Sequence, residues 1–385
     1  MFVDVGHHSH KKSGQSICGD VFKVKLIPEQ HRHVVVLSDG LGSGIKANIM
    51  ASMTATMAIR FVESDRDMMQ SLGVMMSALP ICQLRKISYA TFSIVDIAHN
   101  GFAKIMEMGN PECILLRSGK AIKFDKTIET APQWQDRAIA VSQGQLCPGD
   151  RLIVMSDGVT QAGIGRPDSH LGWKLEGVIN FVEEMIAKQP DIDAHSLSRI
   201  IVGEARRRDV DRCRDDITCG VIGYRQPQAM LVATGPAFRK ENDPDYARII
   251  NEFKGCRVIC GGTSANIVAR ELGLQIRMDY HHQGLDLPPL STMEGFELIT
   301  EGLLTLTRVV EYLEQGLLDE NNPAGQLVQL FIKHDVIEFL VGTRINEAHH
   351  DPALNQNLAI RRNIIKDIAD VLVHKYQKET KLHWI

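Results

Sequence analysis

Two stretches constrain this chain more than any others: "HVVVLSDG" (33–40) and "RLIVMSDG" (151–158). Each is an unbroken apolar run of strand length that stops at Ser-Asp-Gly. Such a run, bounded by turn residues, reads as a buried strand. The first is followed by "GIKANIMASMTATMAIRFVES" (44–64), with small and apolar residues at helical spacing, which predicts a long helix able to pack closely. "YATFSIVDIAHNGFAKIMEMGNPECILLRSGKAIKF" (89–124) reads as three consecutive strands, with turn signals at "HNG", "GNPE" and "RSGK". Residues 175–189 and 194–208 are amphipathic helices, and "DDITCGVIGYR" (215–225) is a last strand.

Composition narrows the function. A chain of 385 residues suggests two or three domains, and 44% apolar with 23% charged residues is a globular profile. A net charge of −4 argues against a nucleic-acid partner. No apolar run approaches a membrane span, and "MFVDVGHHSHKK" lacks the apolar core of a signal peptide. The expectation is therefore a cytoplasmic protein without membrane partners. The eight cysteines form no C-x-x-C pair and read as reduced, small apolar residues.

The acidic corners carry the chemistry. Asp39 and Asp157 end apolar strands, Asp215 and Asp216 open one, and Asp20 in "ICGD" precedes the strand-like "VFKVKLI". Carboxylates at strand ends converge on one edge of a sheet, and Mg²⁺ and Mn²⁺ favour a few carboxylates plus waters. Gly40, directly after Asp39, lets its own carbonyl turn toward an ion. A lone Asp-Gly is an ordinary turn or cap; two strand-end copies followed by a "DDIT" strand are far less common by chance.

This set resembles the type 2C, metal-dependent serine/threonine protein phosphatases, in the bacterial branch typified by stage II sporulation protein E and the stressosome phosphatases. "YATFSIVDI", "EMGNPECILLRSGK", "LCPGDRLIVMSDGVTQAG" and "RDDITCGVIG" fit the family in its order. The resemblance covers roughly residues 1–224. It implies an α+β fold for 1–225: an α-β-β-α sandwich, two central sheets with helices outside, and two divalent cations, Mn²⁺ or Mg²⁺, between the sheets. Asp39 resembles the carboxylate that bridges both metals, and Gly40 the glycine whose carbonyl binds one. Asp157 and Asp215 resemble the further metal aspartates. Asp20 matches the first acidic motif, and Asp216 is expected to orient the ligands without touching the metals. The implied reaction is hydrolysis of phosphoserine or phosphothreonine on a regulatory protein by metal-activated water. A cysteine phosphatase would use a Cys-x5-Arg loop, and none of the cysteines is read as opening one. Many eukaryotic relatives clamp the phosphate with an N-terminal arginine; here only Lys11 and Lys12 precede Asp20. Two other readings stay open: a weakly active phosphatase fold that senses a ligand, and hydrolysis of a small phosphorylated metabolite.

Beyond the joint "RQPQ" (225–228) the pattern changes to strand, Gly loop, helix, which predicts a small α/β domain over 226–385. Helices are expected near 243–254, 264–272, 294–314, 324–334 and 355–378, with a strand at 336–344. "ATGP" (233–236), "CGGTSAN" (260–266) and "VGTRIN" (341–346) end strand-like runs; parallel strands would put all three on one edge, where open α/β folds bind ligands. Gly261 and Gly262 permit close backbone approach, Thr263 or Ser264 can cap the next helix, and Arg344 can add charge. A small anionic ligand or a partner protein is expected there; an ordinary capped βα turn is the plain alternative. His7, His8 and His10 read as a solvated segment. Cys256 and Cys260 have a spacing found in some zinc sites, but no second Cys or His pair follows at finger distance, His281, His282, His349 and His350 included, so no zinc is expected.

Overall fold

The computed structural model describes residues 1–27, 30, 32–64, 68–79, 81–82, 87–88, 90–134, 137–166, 169–279, 290–318, 320–344, 353–376 and 378–385. The chain divides into two compact units, Met1–Gln226 and Pro227–Ile385.

In the first unit the strands are β1 (Phe2–His10), β2 (Val21–Ile27), β3 (Arg32–Gly40), the short pair β4 (Ile81–Cys82) and β5 (Ile87–Ser88), β6 (Ala90–Ala98), β7 (Phe102–Met108), β8 (Ile114–Arg117), β9 (Lys120–Ile122), β10 (Lys126–Thr130), β11 (Ala138–Gln145), β12 (Asp150–Met155) and β13 (Ile217–Arg225). The helices are α1 (Ile45–Glu63), α2 (Met68–Ala78), the single turn α3 (Asp157–Thr160), α4 (Lys174–Lys188) and α5 (Ala194–Arg208). Two antiparallel sheets form, ordered β1-β13-β12-β8-β9 and β10-β11-β7-β6-β3-β2.

The apolar runs explain the layering. Side chains alternate across a strand, and in β3 both faces are covered. Val34 and Val36 pack with Ala55, Ala58 and Val62 of α1. Val35 and Leu37 pack instead with Leu152 and Val154 of β12 and Ile222 of β13. The neighbours Ile153 and Met155 turn the other way, onto α4 and α5. Three cores between four layers result: an α-β-β-α sandwich. Each fully buried Val or Leu contributes about 1.5–3 kcal/mol, so the SDG strands anchor the unit as well as carrying its acids.

Two readings change here. Residues 89–124 give four strands, not three, because Ser118 and Gly119 both take positive φ (50° and 75°), the geometry of a tight hairpin that returns β9 onto β8. The N-terminal histidines are not a loose solvated segment: β1 pairs with β13 from Phe2↔Arg225 to His10↔Ile217, and the His7 ring stacks on Phe22 at 4.5 Å.

The second unit contains β14 (Ala229–Thr234), α6 (Asp243–Glu252), β15 (Cys256–Cys260), α7 (Gly262–Leu272), β16 (Arg277–Asp279), β17 (Leu290–Thr292), β18 (Leu298–Thr300), α8 (Leu303–Gln315), α9 (Pro323–Lys333), β19 (Val336–Val341), α10 (Ala353–His374) and β20 (Glu379–Trp384). The sheet order is β16-β17-β18-β15-β14-β19-β20, with β18, β15, β14, β19 and β20 mutually parallel. Residues of α6 and α7 bury one face of the sheet, and those of α8, α9 and α10 the other. The expected helix at 294–314 is a strand and then a helix. Leu298 and Ile299 pack into opposite cores, as strand neighbours do, and Gly302 stands at the start of α8. Strand β20 reads "ETKLHW", half polar, and escapes a search for apolar runs because it is an edge strand. Cys256 and Cys260 lie in β15, with Cys260 fully buried in an apolar core, the surroundings of a structural thiol. His281, His282, His349 and His350 lie outside the described residues.

Candidate metal centre

Antiparallel pairing brings the acidic corners of each sheet together. Asp39 is the penultimate residue of β3, and Asp20 immediately precedes β2, whose Val21 pairs with Ser38. Asp157 opens α3 directly after β12, and Asp215 and Asp216 precede β13. The two Ser-Asp-Gly corners differ. The first stays in the strand, with Asp39 opposite Thr91 and Gly40 opposite Ala90, whereas the second begins a helical turn. Gly40 is therefore needed less for a turn than for space: a Cβ there would meet the Ala47 carbonyl oxygen of α1 at 2.1 Å, and one on Gly158 would meet the Asp216 carbonyl oxygen at 2.0 Å.

Asp20 lies at the bottom, 5% exposed, with Asp216 at 3% beside it. Asp39, Asp157 and Asp215 are partly exposed. Neither carboxylate oxygen of Asp20 has a hydrogen-bond partner. The hydroxyls of Ser156 and Thr218 are near, but they turn elsewhere, to the Asp216 carbonyl (3.5 Å) and to Ser9 Oγ (3.0 Å). Burial first, then the charges of Asp216 and Asp215, push the Asp20 carboxyl up to about 7. Burial, then repulsion from Asp20, Asp157 and Asp215, pushes Asp39 up to about 9. Asp157 and Asp215 rise for the same two reasons, with Gln161 and Lys12 respectively opposing. Carboxylates that repel one another, with the buried Asp20 lacking any donor, fit a cation.

Among the described residues no three His, Cys, Asp or Glu side chains already surround a single point where an ion would sit. Ions of the magnesium type take one or two carboxylates each and keep several waters, so a centre of several aspartates and two ions does not require three around one point.

The surroundings add residues that the sequence motifs did not single out. Gln161 Nε2 donates to Asp157 Oδ2 at 2.7 Å, one helical turn on. The Lys12 backbone N–H donates to Asp216 Oδ1 at 2.9 Å. Ser38 Oγ donates to the Thr91 carbonyl (2.8 Å), and the Thr218 N–H donates to Ser156 Oγ (3.0 Å), so each motif serine ties its corner to the neighbouring strand. Spacing offered one signal, the i,i+4 relation of Asp157 and Gln161; the rest depends on contacts across strands. Cys219 and Arg225 do have the Cys-x5-Arg spacing, but they span strand β13 rather than a loop. Cys219 is fully buried and its thiol is pushed well up, so it offers no thiolate.

A sequence model of the stage II sporulation protein E (SpoIIE) family matches residues 29–225, just over half of the chain. The chain belongs to the SpoIIE family. Asp39, Asp157, Asp215 and Asp216 fall inside the SpoIIE match; Asp20 and Lys12 lie before it. Stage II sporulation protein E of Bacillus subtilis (strain 168) is 23% identical over 225 residues, 57% of this chain and 25% of that protein. Its namesake from Priestia megaterium is 21% identical over 244 residues, 62% of this chain and 39% of that protein. The chain thus spans well under half the length of both curated relatives. Among solved structures, the SpoIIE phosphatase domain from Bacillus subtilis is 20% identical with a TM-score of 0.43, over 59% of this chain and 94% of that one. RsbX in complex with magnesium is 18% identical with a TM-score of 0.40, over 57% and 94%.

In the second unit, Gly261 caps α7 without a side-chain hydrogen bond, so neither Thr263 nor Ser264 acts as the expected cap. Thr263 and Gly262 are exposed and Ser264 is buried. Arg344 is not a spare charge at this loop: it forms an ion pair with Asp243, 2% exposed, which Arg270 joins from its other oxygen at 2.8 Å.

Proposed function

We propose that this chain hydrolyses phosphoserine or phosphothreonine esters on a bacterial regulatory protein, with water activated between two divalent cations, Mn²⁺ or Mg²⁺. The observation that carries this reading is the set of aspartates drawn from both sheets, with Asp20 buried and unpartnered at its base. In this reading Asp39 would be shared by the ions, the Gly40 carbonyl, Asp157, Asp215 and Asp20 would complete their protein ligands, and Asp216 would orient the set. Bound ions of this kind supply an acidified water and positive charge beside the phosphoryl oxygens. The chain's own residues hold the frame. Gln161 fixes one oxygen of Asp157, and Asp216 is anchored by the Lys12 N–H. The partial exposure of Asp39, Asp157 and Asp215 leaves the centre open to a substrate side chain. Lys12, whose charge acts on Asp215, is the nearest counterpart to a phosphate-clamping arginine.

Among the described residues no helix is long and apolar enough to cross a membrane. We place the reaction in the cytoplasm, with residues 1–225 as the catalytic domain and 226–385 as a regulatory one. The test is hydrolysis of p-nitrophenyl phosphate, dependent on Mn²⁺ or Mg²⁺ and abolished by chelation. Full activity after exhaustive dialysis against EDTA would overturn it. Comparing phosphoproteomes with and without the chain would name the substrate.

A further inference from the structure

We propose that the carboxyl edge of the parallel sheet in Pro227–Ile385 binds a small phosphorylated molecule, its phosphoryl group held by the N-termini of α7 and α8 and by Arg361. This site is independent of the phosphatase reading.

Topology marks the place. The parallel strands run outward from β14 in chain order on one side, through β15 and β18, and on the other through β19 and β20. The direction reverses between β14 and β19, and open α/β sheets bind ligands outside the carboxyl ends at such a point. Two helices start on the same edge, after the neighbouring strands β15 and β18. Gly261 and Gly302, which cap α7 and α8, lie together: a Cβ on Gly302 would sit 3.6 Å from the Gly261 Cα. Neither helix has a capping side-chain bond at its N-cap or an acid in its first turn, and a Cβ on Gly262 would meet nothing within 4 Å. Apart from the Leu304 N–H, which Glu301 accepts, the first-turn amides have no side-chain cap among the described residues, and such amides with aligned dipoles suit an anion.

The second observation is independent of the helix ends. Buried polar atoms are nearly always paired. Among the described residues of this unit, the unpartnered ones are Thr234 Oγ1, Tyr246 Oη, Ser264 Oγ, Thr305 Oγ1, Arg344 Nε and Arg361 Nε. Thr234 ends β14, Tyr246 lies in the first turn of α6, Ser264 and Thr305 lie in the first turns of α7 and α8, and Arg344 follows β19. Arg361 comes from α10, yet its Nη1 would stand 2.7 Å from a Cβ on Gly235, just after β14. All therefore belong to one edge. The Ser264 hydroxyl is 3.7 Å from a Cβ on Gly261 and neighbours the Tyr246 phenol, though neither hydroxyl completes a bond.

The charges are not symmetric. Asp243 is already paired with Arg344 and Arg270. Glu301, the other carboxylate acting here, accepts the Leu304 N–H at 3.1 Å. Arg361 feels Glu301 but forms no ion pair with it among the described residues. The Arg361 guanidinium, two helix N-termini and the four buried hydroxyls of Thr234, Tyr246, Ser264 and Thr305 offer donors to the oxygens of a phosphoryl group. The loop "CGGTSAN" lacks the spacing of dinucleotide and P-loop sites, which points to a smaller ligand.

The test uses the full chain with metal removed by chelation, so that the aspartate centre does not compete. Hydrogen exchange is followed by peptide mass spectrometry with inorganic phosphate, against chloride at matched ionic strength. Phosphate, and not chloride, should slow exchange in peptides covering 261–266 and 302–306. The half-saturating phosphate concentration should rise about tenfold or more in Arg361→Gln, recover in part in Arg361→Lys, and rise again in Ser264→Ala. Asp39→Asn should leave the protection intact, which separates this site from the phosphatase reading. Absence of protection, equal protection by chloride, or undiminished protection in both Arg361→Gln and Ser264→Ala would overturn the proposal.

Discussion

In Met1–Gln226 the strands that carry the acids are antiparallel, and in Pro227–Ile385 the strands that carry the glycine loops are parallel. In an antiparallel pair one strand's end lies beside its neighbour's start, so Asp39 near the end of β3 meets Asp20 before β2, and Asp157 after β12 faces Asp215 before β13. The long helix α1 also begins at that edge, its Ala47 against Gly40, beside the four-residue α3 turn. In the second sheet the five parallel strands end on the same side, and α6, α7 and α8 begin there. The first arrangement gathers carboxylates that want a cation. The second gathers amides, hydroxyls and guanidinium groups that want an anion. Strand direction thus decides which chain segments share an edge, and the side chains there decide what the edge can hold.

The sharpest way to break this contrast is to neutralise one acid. Asp39→Asn should lower metal-dependent p-nitrophenyl phosphate hydrolysis by roughly a thousandfold, more than Asp20→Asn, because a ligand shared by two ions supports both. Equal, mild losses in steady-state kinetics would show that Asp39 bridges nothing.

Next in size is Asp243→Ala in the second unit. It leaves Arg344, whose side chain is 15% exposed, without its partner, and should destabilise the chain by about 3–5 kcal/mol in urea unfolding. A change near zero would mean that Arg344 finds water, and that the basic edge is wetter than its burial implies.

The acidic edge should reveal itself through pH. The folded state holds protons on Asp20 and Asp39, raised to about 7 and about 9 from an ordinary 3.8. Without metal, stability should therefore be highest near pH 4 and decline as pH rises toward 9, because the unfolded chain releases those protons first. Thermal melts between pH 5 and 9 should show a fall of roughly several degrees, flattened by Asp39→Asn or by added Mg²⁺. A melting temperature that rises over this range without metal would contradict the repulsion argument.

The smallest expected effect is Gln161→Ala, about tenfold in kcat with the metal concentration needed for half-activity raised, since Gln161 only steadies Asp157. No shift in metal dependence would remove Gln161 from the centre.

Much of this was legible from local pattern. Consecutive apolar residues ending in "SDG" specify strands buried on both faces with acids at their ends, and the family resemblance, not the pattern alone, implied the sandwich. The glycine loops of the second unit, followed by amphipathic helices, specify α/β units in the same way. Local pattern failed where the fold overrode it. "FELIT" around β18 matched a helix period until burial on two faces made it a strand, and β20 had too few apolar residues to be seen at all. The sites divide along the same line. The sequence by itself determined which acids and glycines stand at strand ends, because periodicity is a property of neighbours along the chain. Only the tertiary structure decided that both oxygens of Asp20 go unpartnered and that Arg344 belongs to Asp243, 101 positions away. It also brought Arg361, from a distant helix, to Gly235. Desolvation and charge pairing depend on what packs around a group in space, and that is set by residues far apart in sequence.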